Sequence, residues 1–181
     1  QTSYAIEFAR NAIEIDHNLF DFKTSDDVGN LISEFGRVVS PGPAKFHNNL
    51  VRNPGRGLFW SNGGYNRYHF YNNHVIADTP TRQDGLFGFN ADKTDFSTIV
   101  IRDNIIKCSK DNPRPLMRND ASYKATIRNN QLVNVTDIDK FENPESDAPR
   151  GLTEPLRFRC GVNGEYEVRG WEVERAKDAG K

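Results

Sequence analysis

Apolar and polar residues alternate along many short segments of this chain, and between them lie turns rich in Gly, Pro, Asn and Asp. The apolar positions recur every second residue instead of every third or fourth, which is typical of β-strands with one buried face and not of helices. The alternating apolar pairs are Ile13 and Ile15, Tyr68 and Phe70, Ile99 and Ile101, and Ala125 and Ile127. This pattern predicts an all-β fold built from short strands.

One alternating phrase occurs five times, and each copy carries asparagine at the same position. The copies are IDHNLF (15–20), FHNNLV (46–51), FYNNHV (70–75), IRDNII (101–106) and IRNNQL (127–132). The shared asparagines are Asn18, Asn49, Asn73, Asn104 and Asn130, at intervals of 31, 24, 31 and 26 residues. Asparagine is unfavourable inside strands, so its regular recurrence indicates a structural role shared by every copy.

A second apolar phrase lies between the copies of the first, so the chain reads as about six copies of one unit. It appears as NLISEF, GLFWSN, GLFGFN, PLMRND and PLRFRC, starting at Asn30, Gly57, Gly85, Pro115 and Pro155, with YAIEFA (4–9) in the matching place before the first asparagine. The last copy leads to VRGWEV (168–173), where Trp171 occupies the asparagine position. This segment is predicted to be the closing copy.

Short strands repeating every 24 to 31 residues favour a parallel β-helix, in which each repeat forms one coil. Stacked coils lie about 4.8 Å apart, so equivalent side chains lie on top of one another. The asparagines would then form a ladder whose amides satisfy one another and the turn backbone. The alternative is an antiparallel sandwich with Asn-containing turns. We expect one domain over 1–181, either complete or the C-terminal part of a longer β-helix.

The composition argues for a folded, aromatic-rich protein. Apolar residues make up 36% of the chain and charged residues 27%, and twelve Phe, six Tyr and two Trp argue against disorder. A net charge of −1 and the lack of a basic run argue against a nucleic-acid binder. No apolar run is long enough to span a membrane.

The start of the chain and its cysteines give further expectations. Because the sequence begins at Gln1 instead of Met, we expect a mature secreted protein or an excised part of one, with a periplasmic location as the other possibility. Cys108 and Cys160 fall at different corners of the predicted coil, so we expect both to be thiols.

Residues two and four before each ladder asparagine are predicted to point outward and to form one surface column. The outward pairs are Glu14 and Asp16, Lys45 and His47, His69 and Tyr71, Val100 and Arg102, Thr126 and Arg128, and Glu167 and Arg169. The middle of the column gathers two imidazoles, a phenol and two cations, which suits an extended acidic polymer. We expect Glu167 and Arg169 to be ordinary solvated residues.

A second candidate surface lies near the other phrase. A predicted turn column there contains Asp27, Arg56, Arg82 with Asp84, and Arg114, close to Phe59, Trp60, Phe87, Phe89 and Arg118. Arg forks beside aromatic rings are typical of saccharide sites with carboxylates. Alternation does not decide whether Phe59 or Trp60 points outward, and core packing is expected for most of these aromatics.

The phrases IEIDHNLF, FHNNLVRNPGRG and YHFYNN, covering roughly 13–75, resemble the pectate lyase family of polysaccharide lyases. The resemblance implies a right-handed β-helix and cleavage of a uronate polymer by β-elimination. It also implies that Arg56 removes the proton beside the uronate carboxylate. Calcium is the implied cofactor, with Asp26 and Asp27 as the nearest candidate ligands.

The sequence therefore predicts an extracellular protein that cleaves an acidic polysaccharide by β-elimination. The candidate catalytic residues are Arg56, Lys45, His47, His69 and Tyr71, and the candidate substrate-binding residues are Arg82, Arg102, Arg118 and Trp60. One alternative is a glycoside hydrolase using two carboxylates from Glu14, Asp16, Asp27, Glu34 and Asp84. Another is a non-catalytic glycan-binding module of an adhesin or tailspike.

Overall fold

The computed structural model describes residues 4–8, 13–22, 29–34, 43–61, 67–77, 85–90, 94–118, 124–138, 156–159, 165–169 and 172–175. Within these ranges the chain forms short β-strands and one 3₁₀ helix at Phe96–Thr98, and no α-helix. The first ten strands are β1 Tyr4–Phe8, β2 Glu14–Asp16, β3 Leu19–Asp21, β4 Asn30–Glu34, β5 Ala44–His47, β6 Leu50–Arg52, β7 Gly57–Ser61, β8 Tyr68–Tyr71, β9 His74–Ala77 and β10 Phe87–Phe89. The others are β11 Ile99–Arg102, β12 Ile105–Cys108, β13 Arg114–Pro115, β14 Thr126–Arg128, β15 Gln131–Val133, β16 Val135–Thr136, β17 Leu156–Arg159, β18 Glu165–Arg169 and β19 Glu172–Arg175.

Fourteen of these strands stack into three parallel sheets. Sheet A has the order β1-β4-β7-β10, sheet B β2-β5-β8-β11-β14, and sheet C β3-β6-β9-β12-β15. The chain visits A, B and C in turn, so each circuit is one coil of a parallel β-solenoid. The predicted fold is confirmed.

The number of coils differs from the prediction of about six. In the part of the chain that the structure describes, four coils have a strand in each of the three sheets. A fifth coil has strands in sheets B and C and meets sheet A through one bridge between Phe87 and Met117. The right-handed winding stays a prediction.

The last predicted repeat is not a coil of the parallel stack. β17, β18 and β19 form an antiparallel sheet, with Leu156 opposite Val168 and Arg169 opposite Glu172. The prediction that VRGWEV closes the solenoid was wrong, and so was the placing of Glu167 and Arg169 on the outer column. Two residues separate β18 from β19, as they separate β5 from β6 in a coil, so the spacing is the same in both arrangements. The difference is that β19 turns back and pairs with β18. Trp171 itself lies outside the described residues.

The predicted asparagine ladder is present at the corner between sheets B and C. The Oδ1 atom of Asn73 accepts hydrogen bonds from the backbone N–H of Asn49 at 3.0 Å and from its amide at 3.2 Å. Asn73 donates in turn to the Oδ1 atom of Asn104, at 2.9 Å and 3.1 Å. The same pattern joins Asn18 to Asn49 and Asn104 to Asn130. These bonds satisfy polar groups that would be costly to bury alone.

The residue before each ladder asparagine has left-handed backbone geometry. The φ angles are 54° at His17, 52° at Asn48, 53° at Asn72, 56° at Asp103 and 51° at Asn129. Asn and Asp tolerate this geometry better than most residues with a side chain. The Asn-Asn pairs therefore have two separate roles, because the first residue turns the chain and the second forms the ladder.

Stacked apolar side chains fill the interior between the three sheets. Leu31, Leu58, Leu86 and Leu116 are fully buried along sheet A. From sheets B and C, the rings of Phe46 and Phe70 are parallel at 5.2 Å, and Phe20 stacks on Phe46 at 5.8 Å. The leucines and the pair Phe46 and Phe70 occupy equivalent positions of successive coils, and they form apolar columns that stabilise the stack.

His74 is a fully buried histidine of sheet C, in register with Leu50 on one side and Ile105 on the other. Burial, followed by the nearby charge of Lys107, lowers the pKa of His74 to about 4. The imidazole is therefore neutral in the folded protein at neutral pH. In the unfolded chain its pKa returns to about 6.5, so the unfolded state binds the extra proton between these two values.

We expect His74 to reduce stability in acid. Because the folded-state pKa is depressed, the contribution is lost as the pH falls from about 6.5 towards 4, by up to about 3 kcal/mol. His74→Leu should reduce the difference in unfolding free energy between neutral pH and pH 4, as measured by urea unfolding. Ile105→Leu, a change at the neighbouring buried position that adds or removes no titratable group, should leave that difference unchanged. If the unfolding free energy of His74→Leu fell between neutral pH and pH 4 as steeply as that of the native protein, His74 would not be the source of this pH dependence.

Candidate functional site

The outward residues of sheet B form the predicted surface column, which we call the outer column. One row in register contains Glu14, Lys45, His69, Val100 and Thr126, and the other contains Asp16, His47, Tyr71, Arg102 and Arg128. The residues between the two rows, such as Phe46 and Phe70, are buried in the core. Alternation therefore predicted this face correctly for all five coils.

Glu14 joins the first two coils of the outer column. Its Oε1 atom accepts a hydrogen bond from His47 Nε2 at 2.8 Å and lies 3.5 Å from Lys45 Nζ. The hydrogen bond from His47 lowers the pKa of Glu14, and the Lys45 charge adds to this, whereas burial acts in the opposite direction. Glu14 is therefore an ionised carboxylate that holds both a histidine and a lysine.

His47 is enclosed within the outer column. Its side chain is largely buried, and Asn48 Nδ2 donates to its Nδ1 atom at 3.0 Å while Nε2 donates to Glu14. Both ring nitrogens are thus engaged. The ring also stacks on Tyr71, with centroids 4.6 Å apart and planes 8° apart. His47 therefore lies beneath Tyr71 with both ring nitrogens engaged, and its catalytic role stays a prediction.

Tyr71 lies between His47 and a cation of the next coil. The guanidinium of Arg102 stacks over the Tyr71 ring, 4.6 Å from its centroid, and forms an ion pair with Asp103. Cation–π contacts of this kind restrict an arginine to a fixed plane. The stack His47, Tyr71, Arg102 is therefore a rigid row across three coils.

His69 lies on the same face, on the coil between Lys45 and Val100. Its pKa is lowered by burial first and then by the charges of Arg102 and Lys45. A neutral imidazole near two cations can accept a proton from a ligand whose acidic group those cations bind.

Arg56 lies at a different corner of the solenoid. It is exposed, between β6 of sheet C and β7 of sheet A, in a turn that contains Asn53 at φ 53° and Gly55 at φ 70°. The outer column belongs to sheet B, so the structure does not bring Arg56 together with Lys45 and His69. Its catalytic role stays a prediction.

Arg114 is a buried arginine directly beneath that turn. It is 1% exposed, and its guanidinium donates to the carbonyl oxygen of Gly55 at 3.1 Å and to the carbonyl oxygen of Arg56. It was predicted to be part of a ligand-binding turn column. Its side chain instead supports the turn from inside, because a guanidinium carries enough donors to bind two carbonyl groups at once.

Trp60 and Arg118 meet on the outer face of sheet A. The Arg118 guanidinium lies 4.8 Å from the centroid of the Trp60 ring. A Cβ atom at Gly88 would lie 2.3 Å from Cε3 of the indole, so the glycine makes room for this ring. Phe59 is buried and Trp60 is half-buried, which decides the orientation that alternation left open. This pair is on sheet A and does not join the outer column.

Several residues with a predicted role lie outside the described residues. These are Asp26, Asp27, Arg82 and Asp84 of the candidate sites, and Cys160, which was predicted to be a thiol. Among the described residues, no group of three or more His, Cys, Asp or Glu side chains is placed to hold a metal ion. The candidate calcium ligands Asp26 and Asp27 are not among these residues, so calcium binding stays a prediction. Cys108 is buried, and the prediction that both cysteines are thiols stays a prediction.

Two features of the site were missed by the sequence analysis. Glu14 was predicted to point outward and was one of several hydrolase carboxylates, but its ion pair with Lys45 was not predicted, although their shared position on neighbouring coils already indicated it. The pairing of Arg102 with Asp103 was also missed. It depends on the left-handed backbone of Asp103, which alternation does not predict.

Comparison with known proteins identifies no relative of this chain. No protein-family model matches this chain, and neither a curated protein nor a solved structure gives a significant match. In the described part of the chain, no helix has both the length and the apolar character needed to cross a membrane. The established conclusion is a parallel β-solenoid with stacked repeats.

Proposed function

We propose that this protein binds an acidic polysaccharide along the outer column and cleaves it by β-elimination. The observation that carries the proposal is the placing of His69, with its lowered pKa, near both Lys45 and Arg102 on successive coils. Elimination needs cations that neutralise a uronate carboxylate and a base that removes the adjacent proton. These groups lie together on one face.

Each group has a defined part in the proposed reaction. Lys45 and Arg102 bind the carboxylate of a uronate residue, which makes the proton on C5 more acidic. His69 accepts that proton, and the C–H electron pair forms the C4–C5 double bond. The bond between C4 and the glycosidic oxygen breaks, and this oxygen takes a proton from the Tyr71 hydroxyl or from water. The products are an unsaturated end and a shortened chain.

The family resemblance supports the proposal only through short phrases. FHNNLVRNPGRG and YHFYNN place the residues that resemble pectate lyases on β5 to β8. In that interpretation Arg56 is the base and calcium neutralises the carboxylate. The described contacts favour His69 instead, because Arg56 lies at another corner. We extend the proposal to a secreted location, since polymers of this class lie outside cells.

The proposal predicts a measurable lyase activity. The purified protein, incubated with polygalacturonate, alginate and other uronate polymers, should generate ultraviolet absorbance from unsaturated ends. His69→Ala should lower kcat by about 100-fold, since a positioned general base contributes that much or more. Arg102→Gln should weaken binding, whereas Arg52→Gln, the same change on sheet C, should not.

The outcomes separate the candidate functions. Folded protein that produces no absorbance with any uronate polymer would overturn the lyase proposal. New reducing ends without absorbance would indicate a glycoside hydrolase instead. Binding without any cleavage would indicate a glycan-binding module of an adhesin or tailspike. Activity that is abolished by a chelator and restored by calcium would favour the interpretation in which calcium neutralises the uronate carboxylate.

A further inference from the structure

The outer column changes its charge along the axis of the solenoid. Its first coil carries two carboxylates, Glu14 and Asp16, which we call the acidic end. Each later coil contributes a cation or an imidazole: Lys45, His69, Arg102 and Arg128. An anionic ligand would therefore be attracted to coils two to five and repelled by coil one.

Neighbouring charges modify this pattern without reversing it. His17 Nδ1 lies 2.9 Å from Asp16 Oδ2, and both side chains are exposed. Asp103 forms an ion pair with Arg102 and reduces the positive charge of the fourth coil. Formal charges, with the histidines neutral, still sum to −2 for the acidic end, and to +2 for Lys45, Arg102, Arg128 and Asp103 together.

Glu14 also competes directly for one of these cations. Its carboxylate lies 3.5 Å from Lys45 Nζ and is held in place by the hydrogen bond from His47. A ligand carboxylate that approaches Lys45 meets this fixed negative charge at the boundary between coils one and two. The boundary is therefore defined by both repulsion and competition.

From this arrangement we infer that Glu14 and Asp16 are specificity-determining residues, which end the binding site for an anionic polysaccharide at the first coil. Strands of neighbouring coils lie roughly 4.8 Å apart, about the length of one sugar unit, so the described coils two to five accommodate about four sugars. This inference rests on the proposed binding of an acidic polysaccharide to the outer column. It adds the number of sugars that the described coils accommodate and the coil at which the site ends.

The test measures affinity as a function of ligand length. Oligogalacturonates and oligoguluronates from the dimer to the octamer are titrated into the full chain by calorimetry. With the native protein, affinity should rise with length up to about the tetramer and then stay constant. Affinity that continues to rise to the octamer would overturn the inference.

Charge-neutral variants of the acidic end provide the second arm. In Glu14→Gln/Asp16→Asn the affinity should stop rising at a ligand about one sugar longer, near the pentamer. The affinity for the pentamer should also increase about fivefold. This corresponds to removing about 1 kcal/mol of repulsion between the ligand carboxylate and the two carboxylates of the acidic end, the value for unit charges about 4 Å apart in water. Asp21→Asn/Asp111→Asn changes the net charge equally but lies on sheet C and in a loop, so it should not move the length limit.

The two proposals fail in different ways. If the native protein binds none of the oligomers, the proposed function fails, and the inference fails with it. If the oligomers bind but the variant of the acidic end behaves like the native protein, the inference fails and the proposed binding stands. If the oligomers bind with the expected length limit but are not cleaved, only the lyase step fails.

Discussion

Replacing Asn73 by alanine is expected to lower the free energy of unfolding by about 4 kcal/mol, because this asparagine is at the centre of the ladder. It is fully buried, and its Oδ1 atom is the shared acceptor for the backbone and amide groups of Asn49. Its own amide donates to the carbonyl oxygens of Phe46 at 2.9 Å and Tyr71 at 3.0 Å. Alanine would leave these groups without their partners, at about 1–3 kcal/mol each.

The ladder contains its own matched control. Asn18 has the same position in the first coil but is exposed, and its amide donates to Asp16 O at 2.6 Å and to Asn49 Oδ1 at 3.2 Å. Asn18→Ala should cost only about 1 kcal/mol, because water can replace the lost partners. Urea unfolding followed by circular dichroism measures both variants. Equal losses in the two would show that ladder burial is not the source of the effect.

Arg114→Met should lower the free energy of unfolding by about 3 kcal/mol, the second largest effect that we expect. The guanidinium is the buried donor to the carbonyl oxygens of Gly55 and Arg56. Methionine fills most of the space but donates no hydrogen bond, so the Gly55 carbonyl would lose its charged donor. The turn between β6 and β7 should open, because the carbonyl groups of Gly55 and Arg56 depend on that support.

An exposed arginine of the last parallel coil tests this interpretation. Arg128→Met removes the same charge from the surface and should change stability by less than about 0.5 kcal/mol. Hydrogen exchange of the backbone amides around Gly55 should increase in Arg114→Met and not in Arg128→Met. An unfolding midpoint of Arg114→Met equal to that of the native protein would mean that the turn does not need the buried guanidinium.

The regular repeat made most of the solenoid predictable. The asparagine position and the alternation around it identified the ladder, the stacked coils and the outward residues of sheet B. Stacking brings equivalent positions into register, so a sequence alignment of the copies is also a spatial alignment. The same reasoning failed at VRGWEV, where alternation is the same for a coil and for an antiparallel hairpin. The two residues before β19 equal the separation of β5 from β6, so loop length does not distinguish the two arrangements either.

The candidate site was less predictable, since it depends on residues that do not repeat. The sequence identified Lys45, His69 and Arg102 as neighbours on one face and placed Arg56 in a turn near a second surface, yet it named Arg56 among the same catalytic residues. Arg56 lies at the corner between sheets C and A, and a motif read along the chain does not show how far that corner is from sheet B. The enclosure of His47 also required the structure, because its partners Glu14 and Tyr71 come from two other coils.

By itself the sequence determined the fold class, the ladder and the composition of the outer column, because each depends on local alternation and on a repeated position. Only the tertiary structure decided that Trp60 points outward over Gly88, that Arg114 is buried beneath the Arg56 turn, and that Glu14 holds both His47 and Lys45. These contacts join residues about 30 to 60 positions apart. Their distances depend on the backbone geometry of the turns between the sheets, which alternation along the chain does not specify.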